Sequence, residues 1–253
     1  MFSWGSEHGF TPEGFNPASR IEKYKEKRRE RFLSSNEIER IGEALREAET
    51  IGLPWEPEPD SAKAKHAPKA ENRRTKISPE AAAAIRLLLL TGARLREILH
   101  LRWEYVDFER GLLLLPDSKT GRKTIILNAP ALSILEGLER VSPYVIPGED
   151  PEKPRADLKR PWAAISERAG LTGVRLHDLR HTHASFGAGS GMGLPIIGKL
   201  LGHTQAATTA RYAHLDADPL RKASDRIGGA IAAALDGKTK APVVPLNGKP
   251  RTG

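Results

Sequence analysis

The stretch Gly202-His203-Thr204-Gln205-Ala206-Ala207-Thr208-Thr209-Ala210-Arg211-Tyr212 ends on a tyrosine nine residues beyond a histidine. A second stretch, His177-Asp178-Leu179-Arg180, sets an arginine twenty-three residues before His203. Together they put a phenol, two imidazoles and a guanidinium on short helical segments. His177 and Arg180 stand three apart, so they share one helical face. Gly202 allows the chain to turn at the end of the helix before His203, and Tyr212 lies on the segment that follows.

Outward from this region the chain reads as mainly helical. Ser34-x-x-Glu37 forms a capping box, and Ile38, Ile41 and Leu45 follow at helical spacing as a buried stripe. Ser78-Pro79 opens a second helix, with an N-cap and a proline at the first position. That helix runs through the apolar stretch Ala81–Leu90 to Gly92 and is expected at the centre of the core. A third holds Leu95, Ile98 and Leu99 and leads to Trp103, Val106 and Phe108 as further core residues. Two short apolar runs, Gly111–Pro116 and Thr124–Leu127, flank Asp117-Ser118-Lys119-Thr120-Gly121-Arg122-Lys123 and read as a β-hairpin. Further helices are expected over Pro130–Arg140, Leu158–Ala169, His177–Ala188, Pro195–Leu201, Ala206–Ala213 and Pro219–Leu235. Residues 53–77, rich in proline and then in Lys, Ala and Glu, read as a loop. The fold class is therefore α+β, mostly α-helical, with a small antiparallel sheet.

The chain's 253 residues suffice for one large domain. A domain is expected over residues 33–235, after a linker at 1–32 and before a disordered basic tail at 236–253. The formal charge of +8 points first to a polyanionic partner. Lys25, Lys27, Arg28 and Arg29 form a basic run able to lie along a phosphate backbone. With no cysteine, the chain has neither thiolate zinc sites nor a thiol nucleophile. A cytoplasmic setting is expected: Met1-Phe2-Ser3-Trp4-Gly5 lacks the basic start and apolar run of a secretory leader, and Ala81–Leu90 is too short to span a bilayer.

Metal-free cleavage of a DNA strand has three chemical needs. Fixed cations must face the charge that builds at phosphorus, and arginine does this with two parallel bonds. The nucleophile needs help, since a tyrosine with a pKa of about 10 is ionised in roughly one molecule in a thousand at neutral pH. The departing deoxyribose oxygen needs a proton. Arg94 follows Thr91-Gly92-Ala93 at a helix start, and Lys119 sits at the hairpin tip, within reach of a bound strand. Singly, each of these residues would read as an ordinary surface or packing side chain; their joint order decides otherwise. His177-Asp178-Leu179-Arg180-His181 also imitates a zinc-protease motif, but aspartate replaces the glutamate and Arg180 would set a cation beside the ion. No metal site is assigned.

In this order, Thr91–Leu99 with Arg94 and Glu97, the Lys119 hairpin, His177-x-x-Arg180, Leu200-Leu201-Gly202-His203 and Tyr212 resemble the tyrosine recombinases of the phage integrase family. The likeness covers about residues 33–235. It implies that Tyr212 attacks the scissile phosphate to give a 3′-phosphotyrosyl enzyme and a free 5′-hydroxyl. Arg94 and Arg180 would clamp the nonbridging oxygens, and Lys119 would protonate the leaving oxygen. His177 and His203 would assist proton movement, and Glu97 would orient its neighbours. Neither metal nor ATP would be needed. Double-stranded DNA is the implied partner, with Arg122, Lys123, His181 and Arg211 expected near it alongside the basic run. Four protomers would assemble on paired sites through the helix at 219–235, from monomers off DNA. Family members usually carry a helical DNA-binding domain ahead of the catalytic one, and residues 1–32 resemble the tail of such a domain. Two rival readings are a type IB topoisomerase-like relaxing enzyme and a catalytically silent DNA-binding remnant.

Overall fold

The computed structural model describes residues 2–16, 21, 31–57, 68–116, 121–203, 205–215 and 228. Residues 1–30 and 31–253 form two separate units. In the first, Phe2–Glu7 is a helix (α1) where the sequence suggested none. The Trp4 ring stacks on His8 and Phe10, at centroid distances of 4.3 and 5.6 Å. One turn of helix brings Trp4 and His8 together, a local pairing too short to register as an apolar period.

The second unit is built around α3 (Pro79–Thr91). Ala81, Ala82, Ala84, Ile85, Leu87 and Leu88 are all buried, so the helix is enclosed nearly all round. Ser78 caps its start, its Oγ accepting from the Ala81 N–H. Gly92 ends it at φ 62°, a left-handed turn that glycine adopts without steric cost. α2 (Ser35–Thr50), α5 (Ala129–Glu136), α6 (Lys159–Arg168) and α7 (Leu176–Gly189) pack on α3. The capping box of α2 forms as read: Glu37 N–H donates to Ser34 Oγ and Ser34 N–H to Glu37 Oε2. Ile41 and Leu45 are buried along its inner face. Trp162 is a core anchor, its Nε1–H donating to Val174 O at 3.1 Å.

Beside the helices lies an antiparallel sheet in the order β3 (Val106–Asp107), β4 (Leu112–Leu115), β5 (Lys123–Ile126). The expected hairpin is present, with Leu113 opposite Ile125 and both buried. The third strand was not expected; two residues show no alternation to read. Residues 53–77 depart from the loop reading in the same way. β1 (Leu53–Pro54) pairs with β2 (Arg74–Thr75), and Ile77 N–H donates to Ala48 O. Buried Leu53 anchors that ladder against the domain. Trp103, Val106 and Phe108 line the edge of the core half-buried, with the Arg140 guanidinium 4.9 Å from the centroids of both rings.

α8 (Leu194–Leu201) and α9 (Ala206–Ala210) pack on one another, and α8 packs on α7. Ala184, Ala188, Ile197, Leu201 and Tyr212 form a small second core there. It lies where the α3, α4 (Leu95–Leu99), α7, α8 and β5 ends approach. The helix expected at 219–235 and the tail at 236–253 lie outside the described residues, apart from Gly228.

Candidate active site

Arg180, on the buried face of α7, organises the site. Its side chain passes beneath two chain turns: one guanidinium nitrogen donates to Gly92 O, the other to Leu201 O at 2.7 Å. Gly92 lies two residues before Arg94, and Leu201 two before His203. One buried cation thus ties the turn carrying Arg94 to the turn carrying His203. Each carbonyl sits at a helix C-terminus, where an orphan acceptor needs a donor and a cation is favoured. Burial, then the neighbouring Arg94, holds the Arg180 pKa below the usual arginine value.

Both turns require glycine. A Cβ on Gly92 would lie 2.7 Å from Leu201 and 2.8 Å from His183, and one on Gly202 would lie 2.8 Å from Lys123 Cε. Gly202 also has φ 69°, so a side chain there would be strained as well as crowded.

Arg94 caps α4. Its N–H donates to Glu97 Oε2 at 2.8 Å and its Nη1 to Glu97 Oε1 at 3.0 Å. Lys123 reaches the same carboxylate from β5, with Nζ 2.9 Å from Oε1 and 2.7 Å from Oε2. The side chains of Lys123 and Glu97 are 7% and 6% exposed, whereas that of Arg94 remains 28% exposed. Burial would raise the Glu97 pKa, but the Lys123 and Arg94 bonds bring it below the usual carboxylate value. Burial lowers the Lys123 pKa, with the Glu97 bond opposing. Lys123, expected near DNA, is here a buried ion-pair partner of Glu97. Strand geometry explains the difference: Lys123 and buried Ile125 are two apart and share the inner face, while Ile126 points out at 60% exposed.

The histidines surround these cations. His203 Nδ1 is 2.8 Å from Thr209 Oγ1, and burial followed by Arg180 and Arg94 lowers its pKa to about 4. Burial and Arg180 also lower that of His177. Both rings are neutral at physiological pH. His183 packs under Gly92 with Nδ1 3.1 Å from Leu89 O.

Tyr212 is 5% exposed. Its Oη lies 2.6 Å from Nδ1 of His181, a residue expected near DNA rather than on the phenol. Burial and His177 hold the His181 pKa at about 4, which favours the neutral ring; with Nδ1 as its unprotonated nitrogen it accepts from the phenol. Burial raises the Tyr212 pKa, with Arg211 and Arg180 opposing it. The phenol thus sits in a cationic field but is paired with a neutral acceptor. His177 and His181 meet edge to face, with centroids 4.9 Å apart.

The structure brings together Arg94, Glu97, Lys123, His177, Arg180, His181, His203, Arg211 and Tyr212, all within the second unit. Arg122 is exposed beside them on β5's outward approach. Lys119, Lys25, Lys27, Arg28 and Arg29 lie outside the described residues. Sequence reading missed Thr209, which holds His203, and the pairing of Lys123 with Glu97. Alternation along β5 could have revealed the second; a threonine on a five-residue helix offers no comparable signal.

Comparison with known proteins places this arrangement. Tyrosine recombinase XerA of Pyrococcus furiosus is 31% identical over 148 residues, covering 55% of this chain and 52% of that protein. The integrase of Salmonella phage P22 is 28% identical over 149 residues, covering 53% and 38%. The chain thus spans about half the length of the XerA recombinases it matches. Its fold is similar to the crystal structure of XerA recombinase (TM-score 0.54, 21% identity, 79% of this chain and 66% of that one). It is equally similar to a lambda integrase (75–356) dimer bound to a COC′ core site (TM-score 0.55, 18% identity, 83% and 68%). The model of the phage integrase family matches residues 63–218, a stretch that includes every one of Arg94, Lys119, His177, Arg180, His203 and Tyr212, and the chain belongs to that family.

Proposed function

We propose that this protein is a site-specific DNA recombinase that cuts and rejoins strands through a covalent bond between Tyr212 and DNA. The observation that carries the reading is Arg180, whose guanidinium fixes the Arg94 and His203 turns beside the Tyr212 phenol. Tyr212 Oη gives its proton to the His181 ring beside it and bonds to the scissile phosphorus as the bond to the 5′ oxygen breaks. Lys119 gives that oxygen its proton. Arg94 and Arg180 face the nonbridging oxygens, each preorganised donor supplying about 3–4 kcal/mol of barrier reduction. With Nδ1 as its unprotonated nitrogen, His203 accepts from the Thr209 hydroxyl, which leaves Nε2–H to donate to the phosphate. His177, also neutral, has the same capacity.

The product is a 3′-phosphotyrosyl enzyme with a free 5′-hydroxyl. It retains a phosphodiester's energy, so rejoining needs no ATP. Side-chain cations take the part a divalent metal plays in other phosphoryl transfers. Glu97 orients Arg94, and exposed Arg122, together with Arg211 and the run Lys25, Lys27, Arg28 and Arg29, tracks the DNA backbone. Monomers assemble as four protomers on paired sites through residues 219–235.

A nicked oligonucleotide that loses a short fragment on cleavage tests this. We expect a covalent adduct with the wild-type protein and none with Tyr212→Phe, which should still bind. Binding with no wild-type adduct would identify a DNA-binding regulator. Relaxation of supercoiled DNA lacking paired sites would point to a topoisomerase.

A further inference from the structure

We infer that Lys123 is a positioning residue: by taking up the charge of Glu97 it keeps the Arg94 guanidinium available for phosphate. The inference rests on the function proposed above and concerns how its site is set.

The Glu97 carboxylate faces two cations. Lys123 Nζ meets both of its oxygens, at 2.9 and 2.7 Å, while the Arg94 guanidinium touches it through Nη1 alone at 3.0 Å. Lys123 and Glu97 are buried almost equally, so little water screens their pairing, and Arg94 is the partly open member of the three. A guanidinium gains most from a carboxylate by binding it with two parallel bonds. Without Lys123, Glu97 would carry an uncompensated charge and Arg94 would be the nearest group able to answer it. Arg94 would swing into a two-pronged pair, with its charge spent on Glu97 and its fork turned from the phosphate.

Gly202 brings the chain onto the Lys123 stem, where a Cβ would come within 2.8 Å of Cε. The His203 turn therefore holds the lysine in line with Glu97. Two of the three Nζ–H groups point into the carboxylate, which leaves the amine poorly placed to deliver a proton to a leaving group or to contact a DNA backbone.

The test compares Lys123→Met, Lys123→Arg, Glu97→Gln and the charge-removing pair Lys123→Met/Glu97→Gln with wild type. It uses the nicked oligonucleotide with oxygen or sulfur as the 5′ leaving atom. A thiolate departs without protonation, so it rescues loss of a proton donor but not loss of a positioned arginine. Lys123→Met should slow single-turnover adduct formation about 10²-fold on both substrates. Its DNA Kd and salt slope should change by no more than the loss of the one Arg94 phosphate contact. Lys123→Arg should recover part of the rate. The pair should be slowed no more than the worse single change, since both act on one interaction; it also serves if the lone Met variant folds poorly.

Sulfur rescue would overturn the inference and make Lys123 the proton donor. A salt slope reduced by more than one phosphate contact would make Lys123 a DNA contact, and additive losses in the pair would separate it from Glu97. If wild type forms no adduct, the proposed function fails, and a crystal structure of the Lys123→Met protein decides this point alone. Arg94 paired through two nitrogens with Glu97 supports it; Arg94 unmoved refutes it.

Discussion

Replacing Arg180 with methionine should separate the structural and chemical parts of its work. Two carbonyls, Gly92 O and Leu201 O, receive its guanidinium nitrogens in a site where Arg180 is 5% exposed. Methionine keeps much of the volume but donates nothing. Each buried carbonyl left without a donor costs about 1–3 kcal/mol. Burial already disfavours the charge, as the lowered arginine pKa shows, so removing the cation recovers part of that loss. The net cost should be about 2–4 kcal/mol, read as a lower urea midpoint at unchanged m-value. Arg180→Lys should fall between, because one ammonium cannot span both carbonyls in the arginine's geometry. Saturating single-turnover assays on the nicked oligonucleotide should show a rate loss of at least 10²–10³-fold for Met, below the melting range of the variant. A Met variant within about 0.5 kcal/mol of wild type would refute the bridging role, since that is the range of an indifferent surface change. A destabilised variant that still cleaves at the wild-type rate would refute its role at the phosphate.

Acid should weaken the fold through His181 and His203. Their folded pKa values of about 4 lie below the unfolded value of about 6.5, so above that value neither group affects stability. As pH falls from about 6.5 towards 4, the unfolded chain takes up protons that the folded one refuses, and the melting temperature should drop. His181→Gln and His203→Gln should each flatten that slope; an unchanged slope in both would contradict the assignment. His181→Phe leaves the buried Tyr212 hydroxyl without its acceptor and should cost about 1–3 kcal/mol. Combining it with Tyr212→Phe should restore much of this in a double-mutant cycle, and zero coupling would mean the bond is absent in solution. Gly92→Ala, at φ 62° and within 2.8 Å of two side chains, should cost about 1–3 kcal/mol by urea unfolding. Gly189→Ala, on α7 with open space around it, should be neutral or stabilising, and equal losses at both positions would defeat the steric argument.

Much of this architecture was legible because its signals are long or chemically specific. The Ser34 capping box, the Pro79 start and the Gly92 stop bound two helices correctly. Leu113 and Ile125 alternate as a hairpin should. The pieces that escaped are short or depend on tertiary context. α1 and the β1, β2 and β3 strands span too few residues to show a period. Lys123 was grouped with Arg122 by charge, although Arg122 is exposed and the Lys123 side chain is buried. His181 shares the turn of α7 that carries His177, but nothing in the sequence shows that the chain returns thirty-one residues later to lay Tyr212 on its ring. Motif order identified which residues gather; partners and protonation came from packing.

The central claim is that the Tyr212 oxygen becomes bonded to the 3′ phosphate of the broken strand. Trapping the adduct on end-labelled oligonucleotides, digesting it and sequencing the nucleotide-bearing peptide by mass spectrometry tests this directly. The account predicts one modified peptide, carrying a 3′-linked nucleotide on Tyr212. A nucleotide on Tyr24, Tyr105 or Tyr144, or a 5′-linked product, would contradict it.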